Sequence, residues 1–206
     1  MAKLDLKKMY REFYNPSVKE CSIVNVPELS FLMVDGAGDP NTAEAYREAL
    51  EALYTMSYTL KFLSKNDENL DYVVMALEGL WWADDMESFA SGDKSTWQWT
   101  AMIMQPDHIT EMHVATAREE VRRKKDPVAL DRMRFEQFTE GLSVQIMHLG
   151  PYADEAPTIS RLHTFAADSG YNLRDKHHEI YLGDPRRTAP ERLRTVIRQP
   201  VVAASG

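Results

Sequence analysis

Phe31-Leu32-Met33-Val34-Asp35-Gly36-Ala37-Gly38-Asp39-Pro40-Asn41 is the stretch that decides the fold class. Four apolar residues closed by two glycines and a proline read as a strand running into a turn. Directly after it, Asn41 and Glu44 stand at capping-box spacing, and Tyr46, Ala49, Leu50, Leu53, Met56, Leu60 and Leu63 recur at helical period. A strand feeding a long helix is predicted, the helix ending near Ser64-Lys65-Asn66. Upstream, Ser22 to Val26 reads as a strand stopped by Pro27. Downstream, Tyr72 to Trp82 and Trp97 to Met104 read as strands, with the acidic excursion Asp84-Asp85-Met86-Glu87 between them as a surface loop. Thr110 to Lys125 reads as a helix, acidic at its start (Glu111) and basic at its end, which suits the helix dipole. Pro127 to Gln137 is expected to continue as a helical segment.

The second half repeats the theme. Leu142 to Leu149 is a predicted strand closed by Gly150-Pro151-Tyr152. A helix starts near Pro157, shows Ile159, Leu162, Phe165 and Ala166 on one face, and stops at Gly170. A strand runs through His178 to Leu182, a short helix begins at Pro190, and a last strand covers Thr195 to Val202, where Pro200 points to a sheet edge. The pattern strand–helix–strand–strand therefore occurs twice, in half-repeats of about 20–125 and 135–206. The expected class is α+β, a single domain over 1–206. Each sheet half buries one face under its helix, and the other faces meet about a pseudo-twofold axis and enclose a ligand cleft.

Composition narrows the function. A chain of 206 residues with 44% apolar and 27% charged side chains builds a sizeable core. One cysteine, Cys21, excludes an intramolecular disulfide, the charged start lacks an apolar targeting core, and no run nears the roughly 18 apolar residues of a membrane span. A cytoplasmic protein without membrane contact is expected, as a monomer or homodimer. The net charge of −8 argues against nucleic acid as a partner, and the run Arg122-Arg123-Lys124-Lys125 reads as a solvated helix end. The six histidines show no metal-ligand spacing, and no phosphate loop, dinucleotide fingerprint or nucleophile elbow is present, so neither metal nor cofactor is expected.

The candidate site comes from tryptophans and carboxylates. All four tryptophans lie in two predicted strands: Trp81 and Trp82, then Trp97 and Trp99. Alternation puts Trp97, Trp99, Ala101 and Ile103 on one face, and Glu78, Leu80 and Trp82 on one face of the neighbouring strand. Such rings are either core or a flat wall for an aromatic ligand, and 11 methionines suit an adaptable lining. In His178-Glu179-Ile180-Tyr181-Leu182, Glu179 and Tyr181 share a face, with Ile180 and Leu182 expected on the helix side. A carboxylate in an aromatic box has its pKa raised and either takes a proton from water or pairs with a cation; the alternative is a glutamate on a wet face. Glu78 occupies the matching strand of the first half.

Three segments carry a family resemblance: Phe31 to Asn41, Leu77-Glu78-Gly79-Leu80-Trp81-Trp82, and above all His178-Glu179-Ile180-Tyr181-Leu182-Gly183-Asp184-Pro185-Arg186-Arg187-Thr188-Ala189-Pro190-Glu191-Arg192-Leu193. They resemble the GyrI-like small-molecule-binding superfamily, in its stand-alone branch without a DNA-binding domain; Ala37 and Ala76 stand where Glu and Pro would be expected. The resemblance implies two strand–helix–strand–strand (SHS2) modules around a cleft with aromatic walls and a glutamate at its base, the place taken by Glu179. It further implies drug binding, or hydrolysis of cyclopropane-bearing DNA-alkylating toxins as a drug-resistance and detoxification activity. In that chemistry Glu179 would activate water, Tyr181 or Tyr152 would donate to the developing oxyanion, and Trp82 and Trp99 would hold the fused rings. A passive small-molecule binder is the alternative, and a gyrase-inhibitor-like protein-interaction role a third.

Overall fold

The computed structural model describes residues 3–83 and 94–204, so the acidic excursion Asp84 to Glu87 lies outside the described residues. The chain divides into two compact units: Met1–Leu6, Leu29–Met75 and Trp81–Phe138 form the first, and Lys7–Glu28, Ala76–Leu80 and Thr139–Gly206 the second. The architecture is α+β with antiparallel strand pairing.

β1 (Ser22–Ala37), which enters the first unit at Leu29, is one strand rather than two. Pro27 does not stop it; the proline precedes the ladder with β3 (Gln98–Gln105), which begins only at Ser30, so its missing N–H takes no bond from that ladder. β3 (Gln98–Gln105) pairs with β1 from Ser30↔Gln105 to Ala37↔Gln98. Register partners share a face, so Leu32, Val34 and Gly36 line up with Ile103, Ala101 and Trp99. The long helix α3 (Glu44–Asp67) follows the short helices α1 (Leu6–Met9) and α2 (Arg11–Tyr14). It covers that face, burying Ala49, Ala52, Leu53, Met56 and Leu60, and Ser57 Oγ accepts a 3.2 Å bond from Gln105 Nε2. Its N-cap is Ala43, not Asn41. Asn41 is taken up one turn earlier, where Asp39 Oδ1 accepts from its backbone N–H at 2.9 Å and from its Nδ2 at 2.7 Å.

Helix α4 (Glu111–Lys124) has the expected bounds and a capping box formed by Thr110 and His113. The segment after it departs from expectation. Only Val128–Arg132 is helical, as one 3-10 turn, and β4 (Arg134–Leu149) starts directly after it. Arg118 donates to the Leu130 and Met133 carbonyls, which ties the end of the turn to α4. Arg134 then pairs with Glu136 two residues on and with Asp35 of β1, each at 2.6 Å, contacts suited to a strand.

The second unit is organised around β7 (Arg194–Ala203), which pairs with β4 (Ser143↔Pro200 to Leu149↔Arg194), β6 (His177–Tyr181; His178↔Arg198 to Tyr181↔Thr195) and β5 (Tyr171–Leu173; Tyr171↔Ala203 to Leu173↔Val201). β7 is therefore not an edge. Pro200 is tolerated because the β6 ladder ends at Arg198 and the β5 ladder begins at Val201, so the missing N–H falls in a gap. β5 has only three residues, one of them Asn172, which left no strand pattern to read. Helix α5 (Ala156–Asp168) packs Leu162 and Ala166 on Val144, Ile146, Ile197 and Val201. Chain order runs strand–helix–strand–strand from β1 through α3 and β2 (Leu77–Trp82) to β3, and strand–helix with three strands from β4. No helix among the described residues is long and apolar enough to cross a membrane.

Candidate functional site

β6 places two histidine–carboxylate systems back to back. Its odd residues, His177, Glu179 and Tyr181, share one face, and its even residues, His178 and Ile180, share the other. Glu179 is opposite Ile197, which lies in the core under α5. The α5 side is thus the face of Glu179, and the expectation that Ile180 faces the helix is reversed. The reason is register: β7 contributes Ile197 to the α5 core and turns Arg198 away, and each β6 residue follows its partner.

On the odd face, Tyr181 Oη donates a 2.6 Å hydrogen bond to Glu179 Oε2, and His177 Nε2 stands 3.3 Å from Glu179 Oε1. The Glu179 side chain is 12% exposed, so the carboxylate is nearly buried and still reachable. Tyr152, at the start of the turn Tyr152–Asp154, sets its ring edge-on to Tyr181, 5.4 Å between centroids. Two further polar groups on this side have no hydrogen-bond partner among the described residues: the buried Thr195 hydroxyl, opposite Tyr181, and the buried His163 Nε2 of α5. Burial, reinforced by His177, holds the His163 imidazole below its ordinary pKa, which favours the neutral ring.

On the even face every charge is matched. His178 Nδ1 lies 2.9 Å from Glu140 Oε1 and its Nε2 3.0 Å from Glu78 Oε2. Arg198 donates to Glu140 Oε2 at 2.9 Å, to Gln145 Oε1 at 3.1 Å and to the Phe13 carbonyl at 2.6 Å, and Tyr14 Oη donates to Glu78 Oε1 at 2.6 Å. Burial pushes the His178 pKa down, but the Glu140 and Glu78 carboxylates outweigh it and raise the imidazole to about 9. Burial pushes the Glu140 carboxyl up, but His178 and Arg198 prevail and hold it at about 2. Burial and the neighbouring Glu78 carboxylate drive the Tyr14 phenol well above its ordinary value. Glu78 thus sits in this network rather than beside Glu179.

The tryptophans belong to the first unit. Tyr46 of α3 meets Trp99 edge-on at 4.9 Å and Trp81 at 5.8 Å, and Trp81 meets Trp97 at 5.7 Å. Trp99 is fully buried, opposite Gly36, where an added Cβ would lie 2.2 Å from the indole. Trp81 is also buried, while Trp82, on the alternate face of β2, is half-buried. The Lys94 ammonium lies 5.1 Å above the Trp97 ring. Sequence reasoning paired Trp82 with Trp99; the structure instead joins Trp81, Trp97 and Trp99 through Tyr46. It also missed Tyr14, Glu140 and Arg198. The one signal for them was His178, alternate to Glu179 on a strand; its carboxylate partners lie 38 and 100 residues away. Among the described residues no group of three His, Cys, Asp or Glu side chains could hold a metal ion.

Comparison with known proteins places this arrangement. The model of the GyrI-like small molecule binding domain matches residues 19–202. An uncharacterized conserved protein from Listeria innocua is 39% identical, with a TM-score of 0.89 over 97% of this chain and 100% of its own. A hydrolase from Listeria innocua, also 39% identical, gives 0.85 over the same shares. The C-terminal domain of EcmrR, 12% identical, gives 0.56 over 90% of this chain and 98% of its own, a likeness of fold alone. No curated protein matches the chain. The matched span takes in β6, His178 with Glu78, Glu140 and Arg198, and all four tryptophans, and the chain belongs to the GyrI-like family of small-molecule-binding domains.

Proposed function

We propose that this protein binds hydrophobic, aromatic small molecules and hydrolyses cyclopropane-bearing alkylating toxins, with Glu179 as the general base. The observation that carries the proposal is the nearly buried Glu179 carboxylate, held by Tyr181 Oη at 2.6 Å on a face with two unpartnered polar groups. Buried polar atoms are normally satisfied, so groups of this kind mark where a ligand or an attacking water would be met. The Listeria innocua relative described as a hydrolase supports turnover over passive capture. The proposed frame is one GyrI-like domain over 1–206 built from a duplicated strand–helix–strand–strand module, acting in the cytoplasm as a detoxification and resistance protein.

The chemistry balances without a cofactor. A cyclopropane conjugated to a dienone opens when a water oxygen bonds its methylene carbon. The carbon–carbon bond breaks, its electron pair passes into the ring to give a phenolate, and the water proton passes to Glu179. Tyr181 acts in two stages. While Glu179 is ionised, the phenol orients the carboxylate. Once Glu179 holds the proton it accepts less strongly, and the Tyr181 hydroxyl is released to donate to the developing oxyanion, with Tyr152 as the neighbouring donor.

The test is incubation of the protein with a spiro-cyclopropane dienone alkylator, followed by mass spectrometry for the product one water heavier. The parent is expected to form it, and Glu179→Gln to be slower by about 10²-fold or more while still binding the neutral ligand. Equal turnover by the two proteins would overturn the base assignment. A second reading, capture without turnover, is favoured by the family description itself, a small-molecule binding domain. In that case no adduct forms, and Glu179→Gln weakens only cationic ligands.

A further inference from the structure

The outward ridge of α3 carries a pattern that the small-molecule site does not use. Along a helix whose inner face is fully buried, three aromatic side chains point outward: Tyr54 is 37% exposed, Tyr58 49% and Phe62 51%. Exposed Glu51 precedes them and exposed Lys65 follows. At 100° per residue these five positions fall within about 80° of one another around the axis and span about 21 Å along it. Three large aromatic groups in a row on a helix surface are unlike the scattered single apolar residues of an ordinary surface.

The pattern is self-complementary. If a second α3 is laid antiparallel with Tyr58 against Tyr58, each Tyr54 meets the second copy's Phe62, and each Glu51 meets the second copy's Lys65. The Tyr54–Phe62 and Glu51–Lys65 pairs then each form twice and Tyr58 meets its own copy on the axis, as an interface on a twofold axis requires. Antiparallel helices also set their dipoles favourably, each N-terminus beside the other's C-terminus. We infer that this ridge is a homodimer interface, its occupant the same ridge of a second copy of the chain. Six half-exposed rings cover several hundred Å², less than the roughly 1,000 Å² of a stable specific interface, so the dimer is a weak one that dissociates on dilution. Mixed charges at both ends fix the register, because a slip by one helical turn in either direction separates both Glu51–Lys65 pairs.

Sedimentation velocity over a dilution series tests this on the full chain. The parent is expected to sediment as a dimer at tens of micromolar and to dissociate on dilution. Tyr58→Lys brings two ammonium groups together on the axis and should leave only monomer at every concentration. Glu51→Lys alone and Lys65→Glu alone should each weaken the dimer about three- to tenfold, since each disturbs two exposed ion pairs. The double variant Glu51→Lys with Lys65→Glu should return to within about twofold of the parent. That rescue keeps the test decisive if Tyr58→Lys fails to fold. A parent that stays monomeric throughout, as it would if the ridge served a different protein, overturns the inference. So does a dimer indifferent to Tyr58→Lys, or a double variant no better than the single ones.

Discussion

The two faces of β6 use the same residue types to opposite ends. On the even side His178 lies between Glu140 and Glu78, Arg198 completes the charge balance, and Glu140 is held at about 2, far too low to take a proton near neutrality. On the odd side Glu179 accepts from a phenol, stands near an imidazole, and has the unpartnered Thr195 hydroxyl and His163 nitrogen in its neighbourhood. A carboxylate between two cations is a structural member whose chemistry is spent. A carboxylate held by a neutral phenol has no full positive charge fixed on it by that contact. The difference teaches that burial alone does not mark a reactive glutamate; what pairs with it does.

The strongest way to break this comparison is to remove Glu140. Glu140→Ala leaves two buried cations short of a partner and is expected to cost about 3–5 kcal/mol, a fall in melting temperature of roughly 6–20 °C for a chain of this size. A thermal melt within about 2 °C of the parent would show that the network is not structural. The same network predicts a pH profile. His178, raised to about 9, contributes fully below its ordinary value of 6.5, and that stability is lost as pH rises through about 9. Glu140, lowered to about 2, contributes fully above its ordinary 4.5 and loses its contribution as pH falls toward about 2. Melting temperature from this source should be highest between those ordinary values, and His178→Gln should flatten the alkaline fall.

Glu179→Gln is the mirror experiment. Its melting temperature should stay within about 2–4 °C of the parent, while turnover falls by about 10²-fold, so stability and activity separate across one strand. A large loss of stability in this variant would make Glu179 a structural residue like Glu140. In the first unit, Gly36→Ala asks whether Trp99 is packed as tightly as the contact implies. The new Cβ would lie 2.2 Å from the indole, so the ring must shift, at about 1–3 kcal/mol and with a changed tryptophan emission spectrum. An unchanged melt and spectrum would mean a loosely held indole. The smallest expected effect is Tyr181→Phe, about tenfold in turnover, because it removes one hydrogen bond from Glu179 and leaves the base in place. A loss as large as that of Glu179→Gln would instead make the phenol indispensable.

The helices α3, α4 and α5 were legible because helical period and end signals are local. Glu179 and Tyr181 were legible as a pair for the same reason: two residues apart on a strand means one face, whatever lies around it. Pro27 and Pro200 misled because a proline's cost depends on whether a neighbour needs its N–H, and that neighbour lies far along the chain. Pro127 to Gln137 misled because its second half enters β4, and Arg134 there pairs with Asp35, about a hundred residues away in sequence. Trp82 was preferred over its neighbour Trp81 in sequence, and alternation could say only that the two face opposite ways. β2's place in the sheet buried one and left the other half-open.

The sequence by itself determined the three long helices and their order among the main strands, the shared face of Glu179 and Tyr181, and the resemblance that names the family. The tertiary structure alone decided which face of β6 looks toward α5, which carboxylates clamp His178, and which tryptophan meets Tyr46. The physical reason is register. Alternation within a strand is set by local backbone geometry, but the choice between two faces is made by pairing with distant strands, where a slip of a single residue exchanges them.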